Sequence, residues 1–169
     1  ESYAQGRKTL RVCDLADDSS LRMDPHLQFD ERNCNVINQI FESLLEFDPD
    51  GSPTPALAKT WRRLDSHTVQ FNLRQDIFFH NGEPCDAYAV KFSLERNLDP
   101  NLKSPAFHMV DSIKRIEVID KLTFNIHTRY PDGILLNRLA QFGHIVPPSY
   151  IEMVGNEGFE KRPVGTGPF

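Results

Sequence analysis

Apolar residues recur along this chain with two periods, and the switches between them outline its elements. From Asn35 onward Ile37, Ile40, Phe41 and Leu44 stand at i, i+3, i+4 and i+7, with Val36 and Leu45 widening the stripe, which predicts a helix over residues 35–45. Thr54-Pro55 offers a capping residue followed by a proline suited to the first helical position. Leu57, Ala58 and Trp61 then share one face, so a second helix is expected there with Trp61 in the core. The period changes to two where Val69, Phe71 and Leu73 alternate with Gln70, Asn72 and Arg74, the mark of a strand with one wet face, and Ile77 to Phe79 is expected to form another.

Asn81-Gly82 is a turn signal, and Asp86 can cap a helix running to about Asn97 with Ala87, Val90 and Leu94 inward. Ile116 and Val118, then Leu122, Phe124 and Ile126, predict a hairpin around Asp120-Lys121. Ile134, Leu135, Leu139 and Phe142 predict a helix closed by Gly143. Ser149-Tyr150-Ile151-Glu152 is a capping-box pattern opening a short helix closed by Gly155. Near the start, Leu10 to Leu15 fits a short buried strand, and Asp17 to Asn33, rich in Asp, Ser, Arg and Pro, an irregular segment. Helices and hairpins in this order describe a mixed α/β (α+β) chain. The last residues, Pro163-Val164-Gly165-Thr166-Gly167-Pro168-Phe169, read as a turn leading into a further element, so the chain is expected to be a fragment.

Composition narrows the function classes. The 169 residues carry 19 Lys plus Arg against 24 Asp plus Glu, a formal charge of −5, which argues against a nucleic-acid partner. Every hydrophobic stretch is interrupted well short of the roughly 18 apolar residues a membrane-spanning helix needs. Cys13, Cys34 and Cys85 allow at most one disulfide and form no CxxC pair, so a disulfide scaffold is excluded and buried apolar thiols are expected. The six histidines, at 26, 67, 80, 108, 127 and 144, never fall at the HExxH spacing, and no metal or other cofactor is expected. Phosphate-cradling GxGxxG and GxxxxGK[ST] loops and the GxSxG nucleophile elbow are missing too. Neighbouring carboxylates such as Asp17-Asp18, Asp30-Glu31 and Asp48 with Asp50 lie among turn residues. No catalytic constellation stands out, and the chain is not expected to be an enzyme.

The order of the pieces resembles the family 5 extracellular solute-binding proteins, the peptide- and nickel-type receptors of bacterial ABC importers. Leu21-Arg22-Met23-Asp24-Pro25-His26 is similar to the family's SLDPH segment, and Ile40-Phe41-Glu42-Ser43-Leu44-Leu45 to its helix-to-strand step. Pro55-Ala56-Leu57-Ala58 with Trp61, Thr68 to Arg74, Phe79-His80-Asn81-Gly82-Glu83-Pro84 and Val90-Lys91-Phe92-Ser93-Leu94-Glu95-Arg96 follow in the family's order. Asp120-Lys121-Leu122-Thr123, Ile145-Val146-Pro147 and the Pro163 to Phe169 ending complete the match. Ala89 stands where the family usually has Asp, which removes a capping partner of Asp86.

The resemblance implies a periplasmic binding protein-like fold of type II, in a two-lobed receptor of which this chain is roughly the first third, closing on its ligand by a hinge. It assigns residues 1–40 to the start of the large first lobe, 41–162 to a small α/β subdomain, and 163–169 to re-entry into that lobe. It places ligand contacts on the loop after Asp-Pro-His and after Ser104-Pro105, here Phe29, Asp30, Glu31, Ala106 and Phe107. Phe29 would offer an apolar wall and the two carboxylates a counter-charge for a peptide amine. The implied role is the substrate-binding component of an importer, taking peptides or similar small solutes and delivering them to a membrane permease. Such a protein is periplasmic or extracellular, monomeric, and in some cases lipid-anchored through an upstream cysteine. The same fold also serves as the ligand-sensing domain of transcriptional regulators, which is the alternative.

Overall fold

The computed structural model describes residues 22–29 and 31–169. The strand expected at Leu10 to Leu15, Cys13 and Asp30 lie outside these residues. Helix α1 (Glu31–Ile40) opens the regular structure and ends earlier than its apolar stripe. After Phe41 donates its N–H to the Ile37 carbonyl the chain extends, Ser43 bridges His144, and Leu44 donates to the Gly143 carbonyl. Extension sends the last positions of the stripe to different places: Ile37 and Phe41 join one apolar cluster and Leu44 another.

Strands β1 (Leu45–Phe47) and β2 (Pro53–Pro55) pair across the expected turn, where Asp48 accepts the Asp50 and Ser52 N–H groups. The segment expected to be a helix after Thr54-Pro55 is instead β3 (Ala58–Arg63), paired with β4 (Thr68–Leu73). The register slips between Ala58 and Thr60, so two residues of β3 oppose one of β4. That bulge breaks strict alternation in just the place where the apolar spacing imitates a helix. Ile77 to Phe79 does not form a strand: Phe78 makes one isolated bridge to Pro84, closed by the Phe79 N–H on the Glu83 carbonyl and the Cys85 N–H on the Ile77 carbonyl.

Helix α2 (Ala87–Asn97) begins as expected, with the Asp86 carboxylate accepting the Tyr88 and Ala89 N–H groups. The short α3 (Phe107–Val110) follows, then β5 (Ile113–Val118), β6 (Thr123–Thr128), α4 (Leu135–Phe142) and α5 (Pro148–Lys161). The four-stranded antiparallel sheet runs β3-β4-β6-β5. Trp61, Phe71, Phe124 and Val118 stand in register on its inner face, with the Phe71 and Phe124 rings stacked 5.3 Å apart. Trp61 packs on this core half-buried rather than within it. The neighbouring row faces out as a polar rung in which each side chain donates to the next. Arg62 donates to Gln70 (2.8 Å), Gln70 to Asn125 (3.1 Å) and Asn125 to Glu117 (3.3 Å).

Helix α5 departs from the capping-box expectation. Glu83, far away in sequence, caps it by accepting the Ser149 and Tyr150 N–H groups at 2.8 and 3.3 Å; the first helical stretch closes, as expected, at Gly155 (φ 69°, ψ 173°), and a second stretch follows to Lys161. The closing Gly165-Thr166-Gly167 turn lies against the end of α1. A Cβ on Gly165 would fall 1.9 Å from the Ile40 carbonyl oxygen, so only glycine fits. His80 fastens the turn: its ring accepts the Gly165 N–H through Nδ1 and donates through Nε2 to the Gly167 carbonyl at 2.7 Å.

Candidate ligand-binding site

The segment from Arg22 to Phe29 has no regular structure, so side chains must hold it. The Asp24 carboxylate folds back on its own chain, accepting the His26 N–H, while the Asp24 carbonyl accepts the Leu27 N–H. Both carboxylate oxygens then take the Arg96 guanidinium from α2, Oδ1 from Nη1 at 3.1 Å and Oδ2 from Nη2 at 2.5 Å, with both residues buried. A buried ion pair persists only when its other hydrogen-bonding sites are filled. Here Arg96 Nη2 also donates to Asn156 Oδ1 (2.9 Å), Nη1 donates to His26 Nδ1 (2.8 Å), and the guanidinium lies 5.8 Å from the centre of the Phe159 ring.

These contacts fix the state of His26. Nδ1 accepts from a guanidinium, so the proton sits on Nε2, which donates to the His144 carbonyl at 3.0 Å. Burial pushes the His26 pKa down to about 4; the Asp24 charge opposes that shift and the Arg96 charge adds to it. His144, whose Nε2 meets Asn38 Oδ1 at 3.0 Å, is lowered by burial to about 3. Both imidazoles are therefore neutral near pH 7. At the outer end of the segment Arg22 pairs with Glu160 through a two-pronged contact.

Of the residues expected to meet a ligand, Phe29 is 45% exposed and stacks on Phe142 at the end of α4, ring centres 5.5 Å apart and 8° from parallel. Its exposed part can meet an apolar or planar group. Beside it Gln28 is buried, and its Nε2 has no hydrogen-bond partner among the described residues. Glu31 is the first residue of α1, and Asp30 lies outside the described residues. Ala106 is 2% exposed at the cap of α3, so any contact it makes runs through its surroundings. Phe107 is half-buried, its ring edge-on to His108.

The turn that carries Ala106 and Phe107 is built on Ser104. Its Oγ accepts the Ala106 N–H at 3.2 Å and donates to Asn97 Oδ1 at 2.5 Å, and its carbonyl accepts the Phe107 N–H. Sequence reasoning missed Arg96, Asn97, Phe142 and Asn156 as parts of this region, Arg96 being noted only as the end of a family motif on α2. Their partners lie tens of residues away and no periodicity connects them. Burial pushes the Cys85 thiol up to about 12, an inert core group as expected. Among the described residues no group of three or more His, Cys, Asp or Glu is placed to hold a metal ion, and no helix is long and apolar enough to cross a membrane.

The chain belongs to the bacterial extracellular solute-binding proteins of family 5: residues 52–169 match the family described as "Bacterial extracellular solute-binding proteins, family 5 Middle". It is 29% identical over 150 residues to the glutathione-binding protein GsiB of Pectobacterium atrosepticum, covering 87% of this chain and 29% of that protein. It is 30% identical over 151 residues to the nickel-binding periplasmic protein of Escherichia coli, covering 87% of this chain and 28% of that one. Among solved structures it resembles MoaA of A. tumefaciens R10 in complex with mannopinic acid. There the TM-score is 0.81 at 28% identity, over 89% of this chain and 32% of that one. NikZ of Campylobacter jejuni in complex with Ni(L-His) gives 0.77 at 30% identity, over 87% and 30%. The chain thus spans less than a third of the length of the curated relatives named here.

Proposed function

We propose that this chain is part of the substrate-binding component of a bacterial ABC importer, a non-catalytic receptor outside the cytoplasm. It would take a peptide or similar small solute between two lobes and deliver it to a membrane permease. The observation that carries the reading is the family match over residues 52–169, joined to an aromatic platform where the family resemblance expects ligand, with Phe29 backed by Phe142 and partly exposed. Relatives bearing the names of glutathione-, nickel- and oligopeptide-binding proteins support a peptide or similar small polar solute. Phe29 supplies the apolar wall, Asp30 and Glu31 the counter-charge for an amine, and Phe107 a second aromatic edge. Division of the chain into a first-lobe start over 1–40, a small subdomain over 41–162 and a re-entry at 163–169 belongs to this reading, as do lipid anchoring and a monomeric state.

Native mass spectrometry of the full-length protein, followed by calorimetry with glutathione, the peptide RPPGFSPFR and Ni(L-His), tests the proposal. A co-purified solute or saturable binding of one of these probes, weakened in Phe29→Ala, is the expected result. A protein that carries no solute and binds none of the three would contradict it.

A further inference from the structure

Two segments proposed to face ligand, residues 22–29 and 104–107, are far apart in sequence, and neither is anchored by a strand. Both are tied to consecutive residues in the last turn of α2. Arg96 reaches one way, taking the Asp24 carboxylate with both terminal nitrogens and the His26 ring with one. Asn97 reaches the other way and is itself 1% exposed. Its Oδ1 accepts the Ser104 hydroxyl at 2.5 Å, and its Nδ2 donates to the Phe142 carbonyl at 3.4 Å. That carbonyl fixes the orientation of the amide, because a flipped Asn97 would set two oxygens against each other.

A one-way relay results. The Ala106 N–H donates to Ser104 Oγ, the Ser104 hydroxyl to Asn97 Oδ1, and Asn97 Nδ2 to the carbonyl of the residue on which Phe29 is stacked. Three hydrogen bonds and one ring contact therefore join the turn bearing Ala106 and Phe107 to the platform bearing Phe29.

We propose that Asn97 is a positioning residue that sets the spacing between the Phe29 platform and the Ala106–Phe107 turn, with Arg96 beside it holding the inner end of the Phe29 segment. The importance of that spacing for ligand rests on the receptor reading above; the coupling itself does not. A buried amide that hydrogen-bonds both the Ser104 turn and the Phe142 end of α4 adds a directional tie to the packing of α3 on α4, without occupying the cleft. Chain connectivity cannot supply this, since the helix α2 stands between them.

The test compares Asn97→Ala and Ser104→Ala with the full-length parent protein, reading amide exchange by segment and the Phe29 ring signals in selectively Phe-labelled protein. Asn97→Ala should speed exchange over 104–107 by about tenfold, the loss of roughly one hydrogen bond. It should also move the Phe29 ring signals away from their stacked positions. Ser104→Ala should speed exchange over 104–107 alone and leave the Phe29 signals in place. In both variants exchange over residues 68–73 and 123–128 should match the parent. The proposal is overturned if Asn97→Ala leaves the Phe29 signals unmoved. It is equally overturned if the variant loosens the sheet strands along with the two segments, because Asn97 is then a general core residue; in that event Ser104→Ala, moving nothing at Ala106, would confirm the negative result. Neither outcome depends on any solute binding, so failure of the receptor reading would show separately, in the calorimetry.

Discussion

The four-stranded sheet and the junction around Arg96 are both buried, yet they are held by different physics. Inside the sheet the row Trp61, Phe71, Phe124, Val118 gains from removal of apolar surface, a force without direction that tolerates small shifts and ignores pH. At the junction Asp24, Arg96, His26, Asn156, His144 and Asn38 make directional contacts at 2.5 to 3.1 Å, and the buried ones, Asp24, Arg96, His26 and His144, are costly to leave alone. The sheet supplies stability to the part of the chain that carries it. The junction decides where an irregular segment lies on it.

The sharpest way to break this comparison is at the ion pair. Arg96→Met leaves the Asp24 carboxylate buried and unpaired, and should cost about 3 to 5 kcal/mol in chemical denaturation. Combining it with Asp24→Asn, which removes the stranded charge, should recover most of that loss. Phe71→Ala should also cost about 3 to 5 kcal/mol, but no second substitution elsewhere in the sheet should restore it. If the double variant at the junction proves additive, the two regions are held alike and the distinction fails.

A second difference appears with pH. His26 and His144 have pKa values of about 4 and about 3 in the folded protein, below the ordinary 6.5, so the unfolded chain binds protons that the folded chain refuses. Stability is therefore highest above about pH 6.5. It should fall as pH drops from there toward 4, by up to about 1.4 kcal/mol per pH unit for each histidine. A thermal melt series should show this slope. His26→Gln should reduce it, whereas Phe71→Ala should lower every melting point and leave the slope alone.

Smaller effects sharpen the picture at the surface. Glu83→Ala removes the carboxylate that caps α5 from a distance and should cost about 1 kcal/mol. Arg62→Ala takes the first donor off the outward rung, leaving Gln70 and Asn125 paired, and should cost about 0.2 to 1 kcal/mol. Equilibrium denaturation reads both.

The same contrast explains what the sequence could show. Alternation at Val69, Phe71 and Leu73, the hairpin of Ile116 to Ile126, and the Asp86-capped helix were legible because each is a local pattern with one period. Where a local irregularity mimicked another period the reading went astray: the bulge at Lys59 turned a strand into an apparent helix, and the pairing that Ile77 to Phe79 suggested goes no further than one bridge to Pro84. Ser149 and Glu152 promised a local cap, but Glu83 took the role across 66 residues. The junction left no trace in periodicity, since Arg96 and Asp24 are 72 positions apart and a buried arginine on an amphipathic helix looks like any other polar residue. Of the expected ligand contacts, Phe29 is partly exposed, whereas Ala106 lies beneath the surface. Burial of a small side chain depends on what packs over it, which no spacing within one segment reveals.

The claim that a buried, directional junction places the Asp24 to Phe29 segment is tested most directly on the imidazole of His26. Two-dimensional nitrogen-15 spectra of histidine-labelled protein, followed from pH 7.5 to the edge of acid unfolding, report both tautomer and titration. The structure predicts a neutral ring protonated on Nε2, with titration held down to about pH 4. A ring that titrates near 6.5, or carries its proton on Nδ1, would mean that Arg96 does not grip His26 and that the segment is held some other way.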